Sequence, residues 1–394
     1  MTALRTRPIY FDNASTSFPK PDLLWETTRQ YLNEVGASPG RGSHSQARQA
    51  KRIVDEARAA LAQVVGVTDP SRIAFTLNAT HALNIAIRGS LAPGDHVITT
   101  DIEHNSVLRP LEELRLAGKC TYTVVRTAPD GTFDLAAFRA ALRPETKLMV
   151  VNHASNVTGV VAPVAELAAI ARAHGALFLL DASQTAGFLD IEVDELGVDM
   201  LALTGHKSLK GPPGTGALFV RHPLDIRPLE VGGSGVNSQS LRHPATMPDK
   251  LEAGTANYLG IAGLGAVVAT LTPAGIAADR AAALTLMQAC LASLRTMSGI
   301  TVYEVRPDLP RVPVISLNIE GLYASEVSAL LDERFQIMTR AGLHCAPLIH
   351  QTLGTTPHGT LRISVGSGST ADDIDRLIEA LDSIREQAVP MGVR

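Results

Sequence analysis

Leu201-Ala-Leu-Thr-Gly-His-Lys-Ser-Leu-Lys-Gly-Pro-Pro-Gly-Thr-Gly216 reads as a buried strand that ends in a tight, polar turn. An apolar run buries its side chains and finishes at a sheet edge. Lys207 arrives at that edge partly out of water, where loss of hydration favours the neutral amine. A neutral amine attacks carbonyls, so the placement points to a Schiff-base lysine. Taken alone, the stretch fits two solvated loop lysines, Lys207 and Lys210, better. The rest of the chain reverses that weighting. Gly211-Pro-Pro-Gly-Thr-Gly216 also imitates a phosphate-binding P-loop, but Ala217 and Leu218 follow where Lys and Ser or Thr are needed. An NTPase reading is rejected.

Outward from this stretch, short apolar runs recur at 73–77, 97–100, 122–125, 148–151, 177–180, 200–203 and 217–220. Ala-rich helical stretches such as 164–174 lie between several of them. Near-continuous apolar strands alternating with helices predict an α/β fold with a mainly parallel sheet covered on both faces. Ligands bind such sheets at the carboxyl ends of the strands. The residues after each run are therefore the ones to read. They are Asn78-Ala-Thr-His81, which is placed at the opening of a helix from Ala82, then Asp101-Ile-Glu-His104, Asn152-His-Ala-Ser-Asn156, Asp181-Ala-Ser-Gln184 and Thr204-Gly-His206-Lys207. Each alone fits a helix cap or a solvated loop. Five polar clusters on one sheet edge point to a shared site.

Before the first run, 10–20 reads as an extended segment turning at Pro19 and Pro21, 22–35 as a helix, and 47–65 as an amphipathic helix. After about residue 272 the pattern changes. Helix is expected to about 297, an alternating strand over 312–319, a helix over 324–335, a strand over 361–365 and a helix over 371–384. This predicts a large α/β domain over 22–271 and a smaller α+β domain built from 1–21 and 272–394. At 394 residues two units are expected. Hydrophobic residues are 45% and aromatics 4%, so Leu, Ala and Val must fill the core. Net charge is −4 with both signs interspersed, which gives no footprint for nucleic acid or membrane. No apolar run reaches the ~18 residues of a membrane span, and the start of the chain carries no apolar signal core. Cys120, Cys290 and Cys345 are sparse, odd in number and far apart. They suit a reducing cytoplasm and argue against a disulfide framework or a structural zinc. No metal is expected.

An aldehyde cofactor such as pyridoxal 5′-phosphate needs a lysine, a carboxylate opposite the ring nitrogen, a ring-stacking group and a phosphate cup. Lys207, Asp181, His104, and Thr80 with His206 supply those types. The backbone N–H groups of the Asn78–His81 stretch, Ala79 among them, suit a phosphate.

At this point the chain resembles a known family. Asp12-Asn-Ala-Ser-Thr, Glu103-His-Asn-Ser, Ser155-Asn-Val-Thr-Gly, Asp181-Ala-Ser-Gln, Gly205-His-Lys and Glu252-Ala-Gly-Thr-Ala-Asn257 resemble the class V aminotransferase superfamily. Within it they are similar to the cysteine desulfurases, over about residues 9 to 385. The resemblance implies the fold type I architecture of pyridoxal-phosphate enzymes and a homodimer. It implies that Lys207 forms the Schiff base, Asp181 pairs with the ring nitrogen and Gln184 reaches the ring oxygen. His104 would stack on the ring. Thr80, Thr204 and His206 would hold the phosphate, and Thr255 would reach the partner subunit's cofactor. Asn156 and Arg362 would bind the substrate carboxylate, the arginine as a bidentate fork.

Thr339-Arg-Ala-Gly-Leu-His-Cys-Ala-Pro347 resembles the short cysteine loop of the group II desulfurases. Cys345 would then be the nucleophile that takes sulfur from L-cysteine, with Arg340 near the substrate. An arginine nearby would favour the thiolate. A sulfur-acceptor protein is an expected partner. Cys120 and Cys290 are read as structural. Two places depart from the family pattern. Gly40-Arg-Gly-Ser-His44-Ser, with His44 as a candidate substrate residue, matches only loosely, and His81 stands where relatives often carry an acid. The alternatives are a selenocysteine or cystine lyase, an epimerase or a transaminase working without a persulfide, and a non-catalytic relay subunit.

Overall fold

The computed structural model describes residues 7–388 apart from 40, 41, 43 and 237. The chain enters on β1 (Ile9–Tyr10), α1 (Asp22–Gln30) and α2 (Ser45–Val64). Strand and helix then alternate through β2 (Ile73–Thr76), α3 (Ala79–Ser90), β3 (Asp95–Thr100), α4 (Asn105–Leu116) and β4 (Cys120–Val125). The series continues with α5 (Leu135–Ala140), β5 (Thr146–Asn152), α6 (Val164–His174), β6 (Leu177–Asp181), α7 (Val193–Leu196), β7 (Met200–Thr204) and β8 (Gly216–Val220).

These strands form one seven-stranded sheet in the order β2-β8-β7-β6-β5-β3-β4. All pairs are parallel except those of β8, which runs against both β2 and β7. The physical reason is the connection. Parallel neighbours need a crossover, and here helices supply it. The glycine- and proline-rich turn after Lys207 is too tight for a crossover, so β8 returns antiparallel. β6, β7 and β8 are buried almost throughout. One face of the sheet packs on residues of α2, α6 and α8 (Tyr258–Val268), the other on residues of α3 and α4.

The remaining elements are α9 (Pro273–Leu294), β9 (Ile300–Val302), β10 (Val314–Ile319), α10 (Ala324–Phe335), β11 (Ile337–Met338), β12 (Arg340–Gly342), α11 (Pro347–Thr352), β13 (Thr360–Ser364) and α12 (Ala371–Ala388). β12-β13-β10-β9 make an antiparallel sheet, and β1 pairs in parallel with β11. Ile9, Phe11 and Ala14 are buried with residues of α9, β10, α10, β13 and α12. The start of the chain thus packs with its end. No single helix among the described residues is long and apolar enough to cross a membrane.

Local differences from the sequence reading have clear causes. α3 opens at Ala79 rather than Ala82, because the Asn78 side chain caps it by accepting from His81 N at 2.9 Å. The 22–35 helix changes at Tyr31 to one π-helical turn, closed by Gly36 at φ +52°. The expected alternating strand over 312–319 starts at Val314 and is buried on both faces. Helices cover one face, and the loop after β5 covers the other, where Ser316 Oγ donates to Val157 O at 2.7 Å.

Candidate active site

The carboxyl ends of β2, β3, β5, β6 and β7 open on one cavity of about 190 Å³. Strand register does the assembling: Asn152 lies opposite Asp181, and Asp181 opposite Ala202. Lys207, Asp181, Gln184, His104, Ala79, Thr80, Asn156, Thr204, His206, Arg340, Arg362 and Cys345 all line the cavity.

β8 must run very close to the start of α3. A Cβ on Gly216 would lie 2.7 Å from the Asn78 backbone, and one on Gly205 would lie 2.2 Å from Thr215 Oγ1. The two glycines therefore let the start of α3 and the Gly-His-Lys turn converge. The N-terminal segment closes the near side. Ser17 N and Lys20 Nζ donate to the His206 carbonyl at 3.0 and 2.7 Å, and Gln184 Nε2 donates to Ala14 O at 3.0 Å.

Burial, the largest cause, pulls the Lys207 amine down from 10.5 to about 8. Asp181 holds it up, while Arg362 and Arg340 push it further down. The lysine is thus a usable base and nucleophile near neutral pH. Asp181 is 2% exposed. Its Oδ1 accepts from Ser183 N and Oγ at 2.9 and 2.5 Å, which leaves Oδ2 for another donor.

His104 Nδ1 accepts from Ser106 N at 3.1 Å, which assigns the ring proton to Nε2. Ser106 Oγ lies 2.8 Å from the same nitrogen and 2.7 Å from Thr80 Oγ1, so His104 and Thr80 share one hydroxyl relay. Burial first, then the Lys207 charge, lowers His104 to about 4, and burial first lowers His206 to about 4. Both rings are neutral at physiological pH, as suits a group that stacks on an aromatic ring.

Cys345 follows β12 on a loop where His344 and Cys345 take φ of +49° and +58°. Two successive non-glycine residues in the left-handed region cost about 1 kcal/mol or more each, so the loop must be held. Three hydrogen bonds hold it. Asn105 N donates to Cys345 O at 2.7 Å, Asn156 Nδ2 to His344 O at 2.7 Å, and His344 Nε2 to Thr360 O at 3.0 Å. The cysteine is exposed. It lines the inner cavity and also an outer groove with Arg88 and Arg109. Cys120 and Cys290 are buried, and burial raises both thiols, that of Cys290 to about 12.

Two candidates lie apart. His44 does not line the cavity; it caps α2, its Nδ1 accepting from Ala47 N at 3.3 Å. Its neighbours 40, 41 and 43 lie outside the described residues. Thr255 does not line the cavity either and is exposed. Sequence reasoning missed Ser15, Ser106, Ser183 and His344 as lining residues. Glu103 carries no role in the sequence beyond its motif. It is fully buried, and that burial pushes its carboxyl up to about 8. Its Oε1 accepts from Thr100 Oγ1 and Asn152 N at 2.5 and 2.9 Å, and Oε2 has no partner.

The residues fit pyridoxal phosphate on their own chemistry. The cavity offers a depressed-pKa lysine, a buried carboxylate with a free oxygen, a neutral imidazole, and hydroxyls beside a helix N-terminus. Arg362 adds a buried Nε with no partner, a donor that awaits an acceptor.

The fold and this cavity define a lysine-based, fold type I enzyme. The aminotransferase class-V family profile matches residues 9–377, so the chain belongs to that family, whose members depend on pyridoxal phosphate. A probable cysteine desulfurase of Halalkalibacterium halodurans is 32% identical over 386 residues, 96% of this chain and 93% of the relative. The cysteine desulfurase of Dickeya dadantii is 31% identical over 387 residues, 96% and 92% of the two chains. Among solved structures, the apo cysteine desulfurase of Thermococcus onnurineus NA1 superposes with a TM-score of 0.90 at 30% identity, covering 96% of this chain and 95% of that one. An S-sulfonic acid form of the cysteine desulfurase CsdA from Escherichia coli gives 0.86 at 26% identity, with 96% and 95% covered.

Proposed function

We propose that this chain is a pyridoxal 5′-phosphate-dependent cysteine desulfurase that converts L-cysteine to L-alanine and holds the sulfur as a persulfide on Cys345. One observation carries this reading: a lysine with a depressed pKa and a cysteine on a pinned loop line the same cavity.

When bound, the cofactor supplies an electron sink for the carbanion left by loss of the substrate Cα proton. Lys207 would anchor the cofactor's aldehyde and, once freed by substrate, take that proton. Asp181 Oδ2 would hold the ring nitrogen protonated. His104 would stack on the ring, and the α3 N-terminus with Thr80, Thr204 and His206 would hold the phosphate. Arg362, with Asn156 beside it, would receive the substrate carboxylate. Cys345 thiolate would then attack the substrate sulfur. The Cβ–S bond would break with its electron pair passing to the carbon skeleton, which takes up one proton at Cβ and recovers the Cα proton from Lys207 before leaving as alanine.

The exposed face of Cys345 offers the persulfide to an acceptor. Thr255 and His44, both off their own cavity, fit a homodimer in which they serve the partner's site. The proposed domains are 22–271 and 1–21 with 272–394; one core drawn from 54–268 and a second drawn mostly from 9–14 and 283–384, joined by Ala154 and Phe188, support that division. The proposed setting is the cytoplasm, which suits three unpaired cysteines.

The test is Cys345→Ser. A hydroxyl is a poor nucleophile at neutral pH. The variant should keep the cofactor and the first spectral change on adding cysteine, and lose alanine release by ~10²-fold or more. Equal rates in wild type and variant would remove Cys345 from the chemistry and favour a lyase.

A further inference from the structure

Ser15 stands where two arginines meet at the cavity wall. Its Oγ accepts from Arg340 Nη1 at 2.6 Å and from Arg362 Nη2 at 2.7 Å. The same hydroxyl donates to Asp12 Oδ1 at 2.7 Å. A serine hydroxyl has one proton and two lone pairs, so every position is used.

The charges around it do not balance. Arg362 is 2% exposed and ion-paired with Asp12 at 2.7 Å. Arg340 converges on the same oxygen through its Nη1. One carboxylate thus faces two guanidiniums. The surplus positive charge lies beside the buried, unpartnered Nε of Arg362. Such a site calls for one more carboxylate.

We infer that Ser15 is a specificity-determining residue. It completes a carboxylate clamp with Arg340 and Arg362 and makes the site select amino acids with a free α-carboxylate. This rests on the proposed reading that Arg362 takes the substrate carboxylate. Ser15 acts by positioning. Arg340 is a long, exposed side chain, and ordering it costs conformational entropy. Held by Ser15 before substrate arrives, it imposes less of that cost on binding. An amine without a carboxylate gains nothing from this arrangement.

The experiment uses the cofactor-loaded enzyme and two ligands, L-cysteine and cysteamine, which has the same amine and thiol but no carboxylate. Each is titrated against wild type, Ser15→Ala, Ser15→Thr and Arg340→Gln, following the absorbance of the bound cofactor. Ser15→Ala should weaken the cysteine response about 10-fold, the scale of a lost hydrogen bond to a charged group. It should leave the cysteamine response unchanged. Ser15→Thr keeps the hydroxyl and should bind cysteine like wild type. Arg340→Gln changes an exposed side chain and should reproduce the cysteine-selective loss even if Ser15→Ala folds poorly. A shift shared equally by both ligands, or no shift in either, overturns the proposal. Failure of the underlying reading shows separately: wild type itself would fail to prefer cysteine over cysteamine, or would release no alanine.

Discussion

Lys207 is the residue on which the proposed chemistry turns, and its environment sets when its amine is neutral. Its folded pKa, about 8, lies below its ordinary 10.5, so the neutral amine prevails from about pH 8 upward. Between those two values the unfolded chain binds more protons than the folded one, and this lysine's contribution to stability rises with pH across that window. The apo-protein should therefore take up pyridoxal phosphate at a rate that climbs with pH to a midpoint near 8. A midpoint near 10.5 would show a solvated lysine. Glu103 gives a second expectation at this scale. It is buried and its carboxyl is raised to about 8, so it is neutral at pH 7. Glu103→Gln should preserve cofactor absorbance and activity. Glu103→Ala should cost about 1–3 kcal/mol in denaturant unfolding, because Thr100 Oγ1 and Asn152 N lose their acceptor. If Gln destabilises as much as Ala, the carboxyl is charged. Lys207, Asp181 and His104 were legible in the sequence because each follows an apolar strand at its carboxyl end. Ser15 and Ser183 were not, because a loop serine has no periodic signal. Their roles exist only once the chain brings Arg340, Arg362 and Asp181 to them.

Among the elements, all seven strands of the large sheet were legible to within two residues at either end, because the central strands are buried on both faces and apolar runs leave little choice; β3, β4 and β5 each begin two residues earlier than their apolar runs. The small unit was harder. Its core borrows Ile9 and Phe11 from the start of the chain, and β9, β11 and β12 are only two or three residues long. The Glu252–Asn257 motif is held in place by its first residue. Glu252 pairs with Arg58 of α2 and accepts from Phe75 N of β2 at 2.7 Å. The Arg58 guanidinium also sits 4.5 Å from the centre of the Phe75 ring. Arg58 itself is buried. Removing one partner leaves the other charge uncompensated, so Glu252→Ala should cost about 3–5 kcal/mol in denaturant unfolding. A loss below about 1 kcal/mol would place this pair with surface ion pairs.

At the scale of the whole molecule, the cavity of one chain holds all the site candidates except His44 and Thr255. The proposed homodimer would give these two a place. Thr255→Ala should leave each chain folded but weaken cofactor retention, measured by dialysis of the loaded protein against cofactor-free buffer. A fully active monomer at assay concentration would contradict the composite site.

The central claim is that Lys207 and Cys345 work on one substrate, the lysine on its Cα and the cysteine on its sulfur. The most direct measurement is to incubate the cofactor-loaded protein with L-cysteine, quench without reductant, and weigh the peptide that carries residue 345. The account predicts that this peptide gains the mass of one sulfur atom as alanine appears, and that it gains nothing in Lys207→Ala. Alanine or a keto acid accumulating with no sulfur on Cys345 would contradict it.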